Sequence, residues 1–350
     1  MKTMHKLTLI LLMLPVLSFA GIVKGKYTRE RKVEKSFSVN SNAALQVMNK
    51  YGSVTITTWD QDKTDIEVTI TVSGNDEETV QKRFNSIDVK ISGTNSLVEA
   101  YTKFGSFNRG NVSMEVNYVV KIPKNGVLGI GNMYGDVRLG KLYGGTNIEV
   151  QYGNLSIDEA NSDTNTLDLQ YSNSSRIGYI KAGIIKMQYS NIDGGRAGKL
   201  SINDDYSNVK FNQIEDITMN MDYGNLTLGT ADKVIVEGDY SNLKCERLTG
   251  MLTVSMDYGS VKVNNITPGV RNIAITTDYS DTKLGFNADM GFSLECDLQY
   301  GGLNGKEYLN FIEKIEKNTS AHYKATSDKG AGNCKVRINS EYGGVKIFRN

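Results

Sequence analysis

Histidine is nearly missing from this chain. It has two, His5 and His322, and His5 lies in an N-terminal stretch that reads as cleavable, which leaves one. Histidine does most general-base work near neutral pH and supplies most transition-metal sites. A Ser-His-Asp triad or a multi-histidine zinc site would therefore depend on His322 or could not exist. Proline (3) and tryptophan (1) are also scarce. After residue 20 no apolar run approaches the ~20 residues needed to span a bilayer. Charge of one sign is lacking as well. Basic and acidic residues number 40 and 39, and removal of Lys2 and Lys6 leaves 38 against 39, a net of −1. That balance points to neither nucleic acid nor an anionic membrane as a partner.

What is present begins with an export signal. Lys2 and Lys6 precede the apolar run Leu7 to Leu17, and Ser18-Phe19-Ala20 supplies small residues at the two positions a signal peptidase reads. Cleavage is expected after Ala20. No cysteine follows the site, which disfavours a lipid-anchored precursor. The remaining residues 21–350 are enough for one elongated domain or two compact ones.

A repeat dominates the rest. Tyrosine followed by Gly or Ser recurs at Tyr51, Tyr134, Tyr152, Tyr171, Tyr189, Tyr206, Tyr223, Tyr240, Tyr258, Tyr279, Tyr300 and Tyr342. From Tyr134 to Tyr300 the intervals are 18, 19, 18, 17, 17, 17, 18, 21 and 21, and the step to Tyr342 is 42. Four residues before each tyrosine stand Val47, Ile130, Ile148, Leu167, Ile185, Ile202, Met219, Val236, Val254, Ile275, Cys296 and Ile338, all apolar. Six before, the residue is apolar except at Thr146, Asn165 and Gly183. This period-two pattern describes a strand with one buried face. After the tyrosine the apolar positions fall three and five residues on, as at Val209 and Phe211 or Val261 and Val263. That slip of one residue marks a bend. Gly or Ser and then Asn, as in Ser207-Asn208 and Gly224-Asn225, are expected to carry the unusual backbone angles of the corner.

A strand, a corner, a second short strand and a loop in 17–21 residues suit one coil of a β-helix. The fold class is all-β: a parallel β-helix or solenoid of about a dozen coils, ~55 Å long at ~4.8 Å per strand, its handedness left open. Two excursions interrupt it. Between Tyr51 and Tyr134 the pattern predicts a strand at Ile66 to Val72, then a helix behind Asn75 and Glu78 as a capping box, with Val80, Phe84 and Ile87 on one face. Strands at Asp88 to Ile91 and Ser113 to Ile122 complete this strand-helix-strand cap. The second excursion, with Phe311, Ile312 and Ile315, precedes the last coil. Caps are expected because bare sheet edges invite aggregation. The division is thus 1–20 signal, 21–125 solenoid start and cap with one short helix, and 126–350 tyrosine-marked repeat including the excursion 304–335.

The segment Asn49-Lys50-Tyr51-Gly52-Ser53-Val54, running on to Thr57-Thr58-Trp59-Asp60, resembles the opening signature of the putative-adhesin domain family of secreted Gram-negative β-solenoid proteins, a domain of unknown function. The later Tyr-Gly coils and the terminal Glu341-Tyr342-Gly343-Gly344-Val345-Lys346-Ile347 fit it too. The resemblance implies a β-solenoid and export to the periplasm, the outer membrane or the exterior of a Gram-negative cell. It transfers no catalytic residue.

Several columns are candidates for function. Asp205, Asp222, Asp239, Asp257 and Asp278 precede their tyrosines in five successive coils and point outward by alternation. Stacked ~4.8 Å apart, such carboxylates repel by roughly 0.9 kcal/mol per pair even in water. A calcium column would offset that. So would the outward Lys210, Lys244, Lys262, Lys283 and Lys346, four residues after their tyrosines, and this charge-balanced reading is preferred, with no metal or other cofactor. Tyr206, Tyr223, Tyr240, Tyr258 and Tyr279 either fill the corner of the core with their hydroxyls reaching water, or form an exposed stripe that docks sugar rings or another protein. Asn154, Asn173, Asn191, Asn208, Asn225 and Asn242 read as a structural amide ladder. Cys245, Cys296 and Cys334 read as core-filling free thiols. Three functions compete: a non-enzymatic envelope or surface protein that binds a glycan or protein through one face, a structural or sensory envelope component, and a polysaccharide-active β-helix enzyme. The near absence of insertions between Tyr152 and Tyr258 leaves little to wall a catalytic cleft and favours the first.

Overall fold

A computed structural model describes residues 25–107 and 110–350. The export signal at residues 1–20 lies outside the described residues. Each coil places one strand before its tyrosine and one after it. Thr146–Gln151 leads into Tyr152 and Leu155–Ala160 leaves it. The first pairs in parallel with Val127–Met133 and Asn165–Gln170. The second pairs in parallel with Val137–Leu142 and with Ser175–Gln188. The result is a parallel β-solenoid whose coils turn at the tyrosines.

In the middle of the stack the two arms merge. Asn191–Asp205, Asn208–Asp222, Asn225–Asp239 and Asn242–Asp257 each run from just after one tyrosine to just before the next. Their register places repeat positions directly opposite one another: Ile202 faces Met219, Met219 faces Val236, and Val236 faces Val254. All twelve residues four before a tyrosine are at most 3% exposed. The polar exceptions six before are satisfied in place. Thr146 Oγ1 donates to Asn165 Oδ1 at 3.0 Å, and Asn165 Nδ2 donates to the carbonyls of Ser162 and Ala182. Cys245, Cys296 and Cys334 are buried and free, as expected of core-filling thiols. Burial pushes their thiols up, to about 12 for Cys245 and Cys296 and about 11 for Cys334.

The N-terminal cap holds the expected strands and helix, with two more strands than the pattern showed. The helix Glu77–Asn85 lies against Lys63–Gly74 and Tyr27–Ser38. Its N-cap is Asp76, not Asn75. Asp76 accepts from the Thr79 N–H at 2.8 Å, while Asn75 Oδ1 accepts from the Lys26 N–H. An aspartate one position later suits the helix dipole as well as the orphan N–H. Lys63–Gly74 and Val112–Pro123 pair antiparallel, and Tyr27–Ser38 closes that edge. Tyr27–Ser38 is rich in Lys, Arg and Glu, which discourages edge-to-edge pairing. The second edge is closed by Leu97–Phe104 and Ile87–Gly93.

At the other end the order in space departs from the order in sequence. The coil of Tyr342 inserts between those of Tyr279 and Tyr300: Cys334–Glu341 pairs in parallel with both Asn272–Asp278 and Phe292–Gln299. The excursion forms the antiparallel pair Leu309–Glu316 and Ser320–Ser327, which covers the outer edge of Phe292–Gln299.

Replacing Ile202 or Val254 with Asp puts an unpaired charge in this column, and either change should destabilise by about 4 kcal/mol or more. The expected readout is a large fall in the urea midpoint. An unchanged midpoint would place that column outside the core.

Candidate binding face

Every repeat tyrosine adopts a left-handed backbone, with φ between 46° and 63°. The Gly and Ser residues of the corner do not, contrary to the expectation from sequence. The consequence is decisive for the side chain. Simple alternation would bury a residue four positions after Ile202, but the left-handed turn swings Tyr206 outward. Eleven of the twelve tyrosines are 42–56% exposed. Tyr51 is half-buried under the edge of Phe104, 5.6 Å away. Of the two readings of the tyrosine column, the structure shows the exposed stripe. Neighbouring rings stack with centroids 4.6–5.3 Å apart and planes within 11°. Partial desolvation, then the neighbouring tyrosines and aspartates, raise the phenol pKa of Tyr223 and Tyr258.

The aspartates before these tyrosines point outward: Asp205, Asp222, Asp239 and Asp257 are exposed and Asp278 is half-buried. They follow one another in register. The lysines proposed to balance them do not reach them. Lys210 pairs with Asp193 at 3.3 Å and Lys244 with Glu246 at 2.6 Å, on the sheet beyond the corner. None of the five aspartates takes part in an ion pair among the described residues. The corner bend is sharp enough to place the two columns on different faces, which alternation alone could not show. Partial desolvation and the carboxylates of Asp239 and Asp278 raise the pKa of Asp257. The five carboxylates run in a line rather than converging. No group of three or more His, Cys, Asp or Glu among the described residues is placed to hold a metal ion.

Behind the tyrosines the corner has a polar lining. Asn208 Nδ2 donates to Asn191 Oδ1 at 2.7 Å, Asn225 to Asn208 at 2.6 Å, Asn242 to Asn225 at 3.1 Å, and Ser260 Oγ to Asn242 Oδ1. Asn154 departs from this ladder by turning its amide to Asp136, and Asn191 reaches the carbonyl of Asn173 rather than its side chain. The serines after the tyrosines form a second ladder. Ser190, Ser207, Ser241 and Ser280 donate to the carbonyl two residues before, and each of the four accepts an N–H from the adjacent coil. Near the N-terminal end, where Gly takes the serine position, an asparagine two before the tyrosine fills the space. Asn132 Nδ2 donates to the carbonyls of Gly52 and Gly135.

Asp204 occupies that inner column, which is Val, Leu or Met in six of the twelve coils. It is 5% exposed, and neither carboxylate oxygen has a hydrogen-bond partner. Its Oδ2 sits where a Cβ on Gly224 would come within 2.9 Å. Burial pushes its pKa up to about 6, helped by Asp205 and Asp222 and opposed by the nearby Ser207 hydroxyl. The folded value lies above the ordinary 3.8, so the penalty is absent below pH ~4, grows as pH rises through 6, and is then constant at about 3 kcal/mol. Asp204→Asn removes the buried charge while keeping the shape of the side chain. The variant should therefore gain on the parent by about 3 kcal/mol between pH 4 and pH 7 in urea titrations; a difference independent of pH would show that Asp204 is not held in this way.

His322, the remaining histidine, pairs with Asp297 through Nδ1 at 2.6 Å. No serine or threonine hydroxyl is hydrogen-bonded to that imidazole among the described residues. No helix among them is long and apolar enough to cross a membrane.

Parallel coils, a turn at every tyrosine and one continuous aromatic stripe define a repeat β-solenoid rather than a walled-cleft scaffold. The chain matches the family model Toastrack DUF4097 over residues 43–348, and it belongs to that family. No curated protein matches it. Among solved structures it is similar to a putative cell adhesion protein from Clostridium sporogenes at 10% identity, covering 92% of this chain and 100% of that one, with a TM-score of 0.18. It is also similar to a putative adhesin from Bacteroides fragilis (9% identity, 91% and 97% covered, TM-score 0.28) and one from Parabacteroides merdae (11%, 69% and 98%, TM-score 0.31). At these TM-scores the whole solenoids do not superpose, and family membership rests on the family model.

Proposed function

We propose that the protein is a non-enzymatic, exported component of the cell envelope or surface that binds a partner through its tyrosine stripe. The observation that carries this reading is the exposure of eleven stacked tyrosines along one uninterrupted line. A stacked aromatic surface offers large contact area at low conformational cost, and such surfaces are where proteins meet sugar rings and other proteins. Stacking fixes each ring before a partner arrives, so little side-chain entropy is lost on binding. The open face supports binding over catalysis. The export signal in the sequence supports the location.

The test uses a variant that keeps the corner. Asparagine tolerates the left-handed backbone better than other non-glycine residues, so Tyr206→Asn, Tyr223→Asn and Tyr240→Asn together should fold. Beads coated with the protein are expected to adhere to Gram-negative cells or to a panel of immobilised glycans and envelope proteins. The triple variant should lose at least ten-fold in retained beads. Equal retention by a folded variant would remove the stripe from binding.

A further inference from the structure

The order of coils in space extends the acidic column beyond what the order in sequence shows. Glu341 stands directly opposite Asp278, and Gln299 lies outside it. Asp205, Asp222, Asp239, Asp257, Asp278 and Glu341 are therefore six adjacent carboxylates, uninterrupted by the glutamine. They line two adjoining shallow troughs of about 600 and 580 Å³ that meet at Asp257. The first trough is also lined by Glu237 and by the buried carboxylate of Asp204, whose oxygens have no hydrogen-bond partner, and Asp297 with His322 lies in the second. The basic groups on these troughs are at their ends, Lys186 in the first and Lys317 in the second. Like Asp205 to Asp278, Glu341 takes no part in an ion pair among the described residues.

The first coil shows how a cation fits such a column. There the residue before the tyrosine is Lys50. Its Nζ lies 5.0 Å from the centroid of Tyr51 and 5.6 Å from that of Tyr134, against two successive rings. Cations held this way over aromatic faces gain from the ring quadrupole. In the coils of Tyr206 to Tyr342 the same position carries a carboxylate, so the rings there have an anion beside them and no cation of their own. Charge complementarity therefore selects the occupant of this part of the stripe.

We infer that the face from Asp205 to Glu341 docks an extended, Lys- or Arg-rich segment of a partner protein, its cationic groups lying between the carboxylate column and the tyrosine rings. Five strand spacings of ~4.8 Å make the column ~24 Å long, which matches about seven residues of extended chain. Arginine suits the site best, because a planar guanidinium both pairs with carboxylates and stacks on aromatic rings. The inference rests on the tyrosine stripe being the binding face, and adds that the partner is cationic.

The experiment measures fluorescence anisotropy of a labelled ten-residue oligoarginine with the purified protein in 50 mM and 300 mM NaCl. Binding is expected at micromolar concentrations and should weaken with salt. Asp222→Asn, Asp239→Asn and Asp257→Asn together should weaken it at least ten-fold without lowering the melting temperature. Tyr223→Asn with Tyr240→Asn should weaken it several-fold. The same loss of charge on the cap, through Glu77→Gln, Glu78→Gln and Asp88→Asn, should leave it unchanged. No binding, or equal binding by the aspartate variant, would overturn the cationic partner and leave the bead assay to decide on the stripe itself. Loss of binding in the cap variant would reduce the effect to net charge and overturn the site. Displacement of the peptide by 1 mM calcium but not by 1 mM magnesium would assign the column to a metal instead.

Discussion

At every corner of this solenoid the chain passes through a tyrosine in the left-handed region, a conformation that costs an L-residue roughly 1–2 kcal/mol. The cost recurs in each coil, so something must offset it in each coil. Two interactions do. The tyrosine N–H donates to a carbonyl of the adjacent coil; Tyr206, Tyr223 and Tyr240 reach the carbonyls of Asp222, Asp239 and Asp257 at 2.8–3.0 Å. The rings then stack on their neighbours, a contact worth ~0.5–1.5 kcal/mol per pair. Both depend on the next coil having the same conformation. The turn is therefore cooperative along the stack, and a tyrosine at one corner stabilises the corners on either side. Exposure of the stripe follows from the backbone that makes the turn.

The same geometry dictates what can lie behind the ring. Turning the tyrosine outward leaves the inner corner to small residues, since the backbones of adjacent coils approach closely there. A Cβ on Gly135 or Gly153 would come within 2.0 Å of the carbonyl oxygen in the coil before it. Where serine is accommodated, its hydroxyl ties the coils together; where glycine stands near the N-terminal end, Asn49 and Asn132 fill the space with amides. Asp204 and Thr277 depart from that economy of polar groups, since both stand buried in the same inner column with unpartnered oxygens, and Asp204 alone of the two carries a charge. A buried group of this kind lowers stability at neutral pH, and the middle of the stack regains it as the pH falls towards 4.

Much of the fold was legible because a repeat averages out local ambiguity. One apolar residue four before a tyrosine says little, but twelve in a column define a buried face, and the register in the structure follows that column. The asparagine ladder was legible for the same reason from Asn191 to Asn242. Reading was weaker wherever the answer depended on a single backbone angle. The phase slip after each tyrosine announced a bend, but period two could not say whether the tyrosine or the following Gly or Ser turned left-handed, and that choice decides between a buried and an exposed ring. The lysine column failed for a related reason: counting residues across the corner gave the outward side but not the face. The inner column two before the tyrosine, with Met187, Met221 and Met256 buried, was a third member of the alternation and could have been read. Asp204 would then have stood out as a charge in the core.

The excursion near the C-terminus shows what sequence order hides. Tyr300 precedes Tyr342 in the chain but lies beyond it in the stack, because Cys334–Glu341 pairs on both sides in parallel. A simple winding would have placed Phe292–Gln299 beside Asn272–Asp278 and left Gln299 between Asp278 and Glu341. Inserting the later coil brings two acids together and moves the neutral residue to the end, where the antiparallel strand Ser320–Ser327 covers it. Like charges in register repel, so this arrangement costs electrostatic energy that the simple order would have avoided. The hydrophobic columns give no reason for it, since both coils carry an apolar residue at the buried position, Ile338 and Cys296. What the insertion does provide is a capped edge: Phe292–Gln299 carries the antiparallel excursion, and Cys334–Glu341 is held between two parallel neighbours. The continuity of the acidic column is thus tied to how the solenoid closes its own end.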